Sequence, residues 1–220
     1  MTPPRETVLA RIRAALTDVP TLERPEDVVI DRSYRHIDDE PERARLERFI
    51  ERVREYKARV KVARADDLSR AIAESCAERG VARLVTPADL PDGWAPPGVE
   101  LIREPGLTND ELERSDGVLT ACALGIAQTG TVVLDSGPGQ GRRAISLVPD
   151  YHLCVVFDRQ VVGLVPEAVV RLQAAAESPA RPITFISGPS ATSDIELNRV
   201  EGVHGPRTLE VIVVTELDVS

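Results

Sequence analysis

The chain has 220 residues, a length that suits one large domain or one domain with an appendage. Its 42% hydrophobic content supports a real core, and with only 3% aromatics that core must be built from Val, Leu, Ile and Ala. A formal net charge of −9 opposes contact with a phosphate backbone, so nucleic acid is excluded as a partner.

Val8, Leu9, Ile12 and Leu16 fall at helical spacing and predict an amphipathic helix over 5–16. Residues 17–40 carry prolines and mixed charge without a period, and read as a linker. Leu46, Phe49, Ile50, Val53 and Tyr56 recur at three and four, predicting a helix over 41–59 with a solvated Arg/Glu face. From Val60 the pattern changes. "VKVA" reads as a strand, and "DDLSRAIAESCAERG" as a helix ended by Gly80. "ARLVTP" and "VELIRE" are strands, and "TNDELERS" is a short helix. "GTVVLDS", "YHLCVVFD", "PITFISG" and "LEVIVVTE" are four further strands, with helices at "RRAISLV" and "PEAVVRLQAAAES" between them.

Strands alternating with helices predict an α/β fold. Its sheet is mostly parallel or mixed, with helices on both faces, and the near-continuous apolar runs fit strands buried on both sides. The expected division is a helix and charged linker at 1–40, then an α/β domain at 41–220. Cys76, Cys122 and Cys154 are widely spaced and form no CxxC, which argues against a disulfide framework or a cysteine-held metal. They read as buried small apolar positions. No run approaches the roughly 18 apolar residues of a membrane span. Arg11 and Arg13 interrupt any signal-peptide core. A reduced, cytoplasmic protein without a metal site is expected.

Ligands of open α/β sheets bind beyond the carboxyl ends of the strands, so the loops that follow strands are the places to search. "DSGPGQGRR" places Gly137, Gly139 and Gly141 before a helix start, with Arg142 and Arg143 behind them, a pattern suited to an anion. Asp158 lies at the end of the next strand, as a ribose-binding acid would, but the spacing is GxGxG rather than GxGxxG and Pro138 removes a donor. No Lys-Ser/Thr follows, which excludes a Walker A loop. "AQTGT" sets Thr129 and Thr131 around Gly130, either as a tight turn or as part of a pocket.

"GPSATSDIELNRVEGVHGP", residues 188–206, joins two strands. Ser193 and Glu196 form a capping box, Asp194 suits a first helical turn, and Gly202 would end the helix about two turns later. Capping leaves Ser190, Thr192 and His204 unexplained. Ser190 and Thr192 are candidate anion ligands beside Gly188, and His204 is a candidate proton donor or acceptor. A serine-hydrolase elbow fails, because Thr192 stands where a glycine is needed and Asp194 and His204 lie too near Ser190. His36 falls in the linker, and His152, opening a strand, reads as structural.

"AQTGTVVLDS", "RRAISLVPDYHLCVV", "GPSATSDIE" and "GVHGP", in this order, resemble the lactate utilization protein C family, whose shared domain is the LUD domain. The resemblance covers roughly residues 40–216 and leaves the N-terminal helix as a variable extension. It implies a fold similar to the superfamily of ribose-5-phosphate isomerase, glucosamine-6-phosphate deaminase and CoA transferases. It also implies a role beside two iron–sulfur partner proteins in oxidising L-lactate to pyruvate, with the clusters held by the partners. Gln128 departs from the acidic residue common in relatives, so covalent chemistry of the CoA-transferase type on this position is doubtful.

The resulting expectation is a subunit that binds a small anionic metabolite or phosphate-bearing cofactor through Thr129, Gly130, Thr131, Gly139, Gly141, Arg142, Gly188, Ser190 and Thr192. His204 and Asp194 would handle protons. Two alternatives are a ligand-binding or assembly subunit without chemistry, and an isomerase or transferase acting on a phosphorylated molecule. The last of these rests on fold analogy.

Overall fold

The computed structural model describes residues 4–18, 24, 29–177, 180–192, 200–201 and 205–219. By internal contacts the chain divides into two units, Met1–Arg35 and His36–Ser220. In the first unit, α1 (Pro4–Ala15) is the expected N-terminal helix, and Val8, Ile12 and Leu16 are each about half exposed.

The second unit opens with α2 (Glu42–Glu55), whose Leu46, Phe49, Ile50 and Val53 are buried, as the three/four spacing requires. The helix stops short of residue 59. Lys57 takes a left-handed φ of 65°, which ends it, and Arg59 opens the first strand. Six strands then build one sheet: β1 (Arg59–Ala63), β2 (Arg83–Thr86), β3 (Glu100–Arg103), β4 (Gly117–Thr120), β7 (Tyr151–Phe157) and β12 (Thr208–Val214). Their order across the sheet is β1-β12-β7-β4-β2-β3, and every neighbouring pair is parallel. Two helices lie between these strands: α3 (Leu68–Arg79), closed by Gly80 at φ 67°, and α4 (Asn109–Glu113), closed at its start by a Thr108/Glu111 capping box.

A second, four-stranded sheet is inserted after β4 and β7. It runs β8-β5-β6-β9 and contains β5 (Leu124–Ile126), β6 (Thr131–Leu134), β8 (Val161–Val162) and β9 (Thr184–Ile186). β6 pairs antiparallel with both β5 and β9. "GTVVLDS" and "PITFISG" therefore leave the parallel sheet that sequence alone assigns them to. The α5 helix (Val165–Ala176) packs its Ala168 and Leu172 on this sheet, against Leu124, Ile126, Val133 and Val162.

These pieces stack in layers. The α3 helix and one face of the parallel sheet share a core with Leu84, Leu119, Leu153, Val155 and Ile212. The other face, α2 and the inner face of the small sheet share a second core, which joins Phe49 and Ile50 to Val132, Cys154, Val156 and Val211. Each large side chain buried here is worth roughly 1.5–3 kcal/mol.

One expected helix is not formed, and another is contradicted at the two of its residues that are described. "RRAISLV" yields only a tight turn, Arg143–Ser146. The Ser146 hydroxyl donates to the Arg143 carbonyl at 3.1 Å, and Pro149 soon follows, so no longer helix propagates. Beyond Ser190, β10 (Ala191–Thr192) pairs antiparallel with β11 (Val200–Glu201). This commits Val200 and Glu201 to extended backbone, where the capping box had predicted the end of a helix. Ser193, Asp194, Glu196, Gly202 and His204 lie outside the described residues.

Candidate functional site

A cavity of about 310 Å³ opens where the amino ends of β7 and β12 meet β9. Its polar lining includes Arg143, Ser146, His152, Ser187 and Ser190, and Phe185, Leu147 and Leu209 supply apolar wall. His152 and Leu209 are each the second residue of their strand. The cavity therefore lies at the amino ends of the parallel sheet, not at the carboxyl ends where the fold class directs the search.

Just beyond the carboxyl end of β4 packs the chain's own glycine-rich loop. The Ala121 N–H, just past β4, donates to the Gly139 carbonyl at 2.7 Å, and the Gly139 N–H donates to Asp89 Oδ2 at 2.9 Å. The Gly137 N–H donates to Asp135 Oδ1 at 3.0 Å. Gln140 and Arg181 bind the same aspartate, Gln140 Nε2 at 2.8 Å and Arg181 at 2.6 Å. Gly141 takes φ 68°, and a Cβ there would stand 2.6 Å from Ile145 Cδ1. Arg142 is bonded to the buried Glu104 at 3.0 Å and donates to the Leu107 carbonyl. Donors that resemble an anion cradle in sequence are thus spent on internal carboxylates. Asp158 likewise accepts from the Thr215 hydroxyl at 2.7 Å.

The "AQTGT" turn does not line the cavity, but its hydroxyls are bonded to the cavity wall. Thr129 Oγ1 and Thr131 Oγ1 are 2.7 Å apart, and Thr131 Oγ1 lies 2.8 Å from Ser187 Oγ. Three hydroxyls thereby connect the turn to the cavity wall at Ser187, beside Gly188 and Ser190. This chain exists because Thr131 and Ser187 each adjoin the β6–β9 ladder, in which Val132 faces Ile186. Gly130 and Gly188 have a packing role. At φ 58° and 88°, their absent Cβ atoms leave room for the last turn of α2, at Arg52 and Tyr56. Gln128 is exposed and lines a shallow neighbouring groove with Arg52, Glu55, Tyr56 and Thr129.

Ser190 is held in place by its N–H, which donates to the Pro206 carbonyl at 2.8 Å. That bond brings "GPS" and "GP", the two ends of the 188–206 stretch, onto one wall, because Gly205 and Pro206 also line the cavity. Thr192 belongs to β10.

Arg143 is exposed and has no ion-pair partner among the described residues. The next cation, Arg207, is engaged by Asp150, with Nε 2.7 Å from both carboxylate oxygens; that hydrogen bond holds Asp150 below the usual carboxylate range. His152, which strand periodicity assigns to a structural role, is 1% exposed yet lines the cavity, and its Nε2 lies 2.8 Å from Thr120 Oγ1. A guanidinium, several hydroxyls and an imidazole around one cavity suit a small anion with an adjacent group able to exchange a proton. Among the described residues, no group of three or more His, Cys, Asp or Glu is placed to hold a metal ion, and no helix is long and apolar enough to cross a membrane.

Sequence reading misses His152 and Ser187, and it favours Arg142 over its neighbour Arg143. "YHLCVVF" is apolar on both faces and gives no sign of which residue faces a cavity. Ser187 becomes visible only once β6 and β9 are known to pair.

Residues 100–214 match the family described as the LUD domain. A Deinococcus radiodurans protein named lactate utilization protein C is 48% identical over 170 residues, which is 77% of this chain and 79% of the relative. A protein of the same name from Halalkalibacterium halodurans is 39% identical over 110 residues, 49% of this chain and 47% of that relative. The fold is similar to the crystal structure of a DUF162 family protein from Deinococcus radiodurans, with a TM-score of 0.70 at 40% identity over 80% of this chain and 99% of that one. The family match takes in both β6 and the strands that frame the cavity, and on this ground the chain belongs to the LUD domain family.

Proposed function

We propose that this chain is a component of an L-lactate utilization system and binds a small anionic metabolite in the cavity at the amino ends of β7 and β12. The lactate assignment is supported by the 48% identical relative named lactate utilization protein C. The observation that carries ligand binding is the convergence of Arg143, His152, Ser187 and Ser190 on one cavity, with the Thr129–Thr131 hydroxyls bonded behind Ser187. In this reading Arg143 takes the charge role that sequence assigned to Arg142. Ser187 and Ser190 donate to the anion, with Thr192 and Gly188 completing the segment. Asp194 and His204 remain candidates for proton transfer, and His204 directly precedes the cavity-lining Gly205. Electrons released in oxidising L-lactate to pyruvate pass to iron–sulfur partner proteins.

Thermal denaturation with and without L-lactate, pyruvate and phosphorylated metabolites tests the site. A ligand at ten times its Kd adds about 1.4 kcal/mol, roughly 3–6 °C for a chain of this size. We expect such a shift for the wild type and its loss in Arg143→Ala. No shift with any of these anions would overturn the binding site. The lactate role is tested by restoring growth on L-lactate to a strain lacking the gene. Wild-type growth with Arg143→Ala, Ser190→Ala and His204→Ala alike would remove these residues from the function.

A further inference from the structure

The cavity at the amino ends of β7 and β12 is larger than the acids of the lactate reading require. A water's share of liquid volume is about 30 Å³, so about 310 Å³ has room for roughly ten waters. L-lactate and pyruvate, with about six non-hydrogen atoms each, would leave close to half of that space unfilled. Pockets of this size suit molecules of about ten to fifteen such atoms.

Much of the remaining wall is apolar. Leu147, Phe185, Ile186 and Leu209 line the cavity beside its serines. Ile186 and Leu209 also pack into the core between the two sheets. Leu147 and Phe185 do not. Leu147 is half-buried, Phe185 is 52% exposed, and neither belongs to any of the four core clusters. Large apolar side chains that line a cavity and serve no core gain by covering an apolar part of a ligand. Gly205 marks where the two kinds of wall meet. A Cβ built there would stand 3.8 Å from Leu147 Cδ2 and 4.0 Å from Ser190 Oγ, so its absence leaves a bare passage from the hydroxyl to the leucine. Charge limits the head group. Among the described lining residues Arg143 is the only Lys, Arg, Asp or Glu, and a single positive charge complements a monocarboxylate rather than a phosphate dianion.

We propose that the cavity takes a monocarboxylate with an apolar, ring-sized tail. Arg143 and Ser190 hold the carboxylate, and the tail lies over Gly205 against Leu147 and Phe185. This inference rests on the anion-binding reading of the same cavity and names its ligand class. Gly205 and Leu147 then set specificity, and L-lactate fills only the head of the site.

Titration calorimetry on the intact chain compares L-lactate with L-phenyllactate, which keeps the acid and adds a phenyl ring. Burying the ring should make phenyllactate bind about tenfold more tightly, or better. Benzyl phosphate, with a dianionic head, and phenylpropanol, with no charge, should both bind more weakly than phenyllactate. Leu147→Ala should weaken phenyllactate by about threefold or more and leave L-lactate within about twofold. Both ligands are measured on the same variant, so a loss of stability does not imitate this change in their ratio. L-lactate binding as tightly as phenyllactate, or more tightly, would overturn the tail and leave the anion site standing. No binding of either acid would overturn both. Benzyl phosphate or phenylpropanol binding as well as phenyllactate would overturn the monocarboxylate head. An unchanged ratio in Leu147→Ala would refute the placement of the tail.

Discussion

Gly130 shows how a single missing side chain positions the site. Its φ of 58° is left-handed, and a Cβ placed there would stand 2.6 Å from the Arg52 carbonyl carbon in α2. Backbone strain of about 1 kcal/mol and overpacking of about 1–3 kcal/mol lead us to expect Gly130→Ala to destabilise by roughly 2–4 kcal/mol in urea unfolding. Thr129→Val and Thr131→Val should cost less but break the hydroxyl chain, so any anion-induced thermal shift should shrink in them. The turn was legible in sequence because Gly and Thr have strong local roles. His152 was not. Its importance depends on which face of a doubly buried strand it occupies, and a continuous apolar run carries no such information. The glycine-rich loop misled for a related reason. Sequence displays its N–H donors but hides Asp89 and Asp135, the carboxylates that use two of them.

The α2 helix joins the two sheets, and its legibility follows from its one-sided burial. Leu46, Phe49, Ile50 and Val53 repeat at helical spacing because a single stripe meets both sheets. Phe49 is fully buried, and even the absent Cβ of Gly125 would approach its ring to 2.9 Å. Phe49→Ala should therefore cost about 3–5 kcal/mol, seen as a lower urea midpoint, whereas Glu51→Ala on the exposed face should change little. Elements defined by pairing rather than by burial were harder to read. The strands β4, β5 and β8 have two to four residues each, too few for any period. The Ser193–Glu196 capping box is a local signal, and the ladder between Ala191–Thr192 and Val200–Glu201 overrides it at the far end of the expected helix.

At the scale of the molecule, alternation of strand and helix predicted the parallel sheet, but not the second sheet inserted after β4 and β7. "TVVL" and "TFI" carry the same β-branched composition whichever sheet receives them. The boundary of the folded unit is a sharper test. Every residue of the four core clusters lies between Leu46 and Val214, within His36–Ser220. A fragment comprising 36–220 should therefore unfold at the temperature of the full chain, to within about 0.5 kcal/mol. Starting instead at residue 41, the boundary that linker composition suggests, removes Asp38 and Glu40. Asp38 is fully buried at its side chain and pairs with Arg48 at 2.6 Å, while Glu40 holds the other arm of that guanidinium at 2.6 Å. Asp38 also packs over Gly163, where there is no room for a Cβ. Losing charged hydrogen bonds to a largely buried arginine costs about 1.5–3 kcal/mol, so the 41–220 fragment should melt measurably lower than 36–220. Equal melting temperatures for the two fragments would show that the charged segment before α2 is a linker throughout; a gap would place the start of the fold at Asp38.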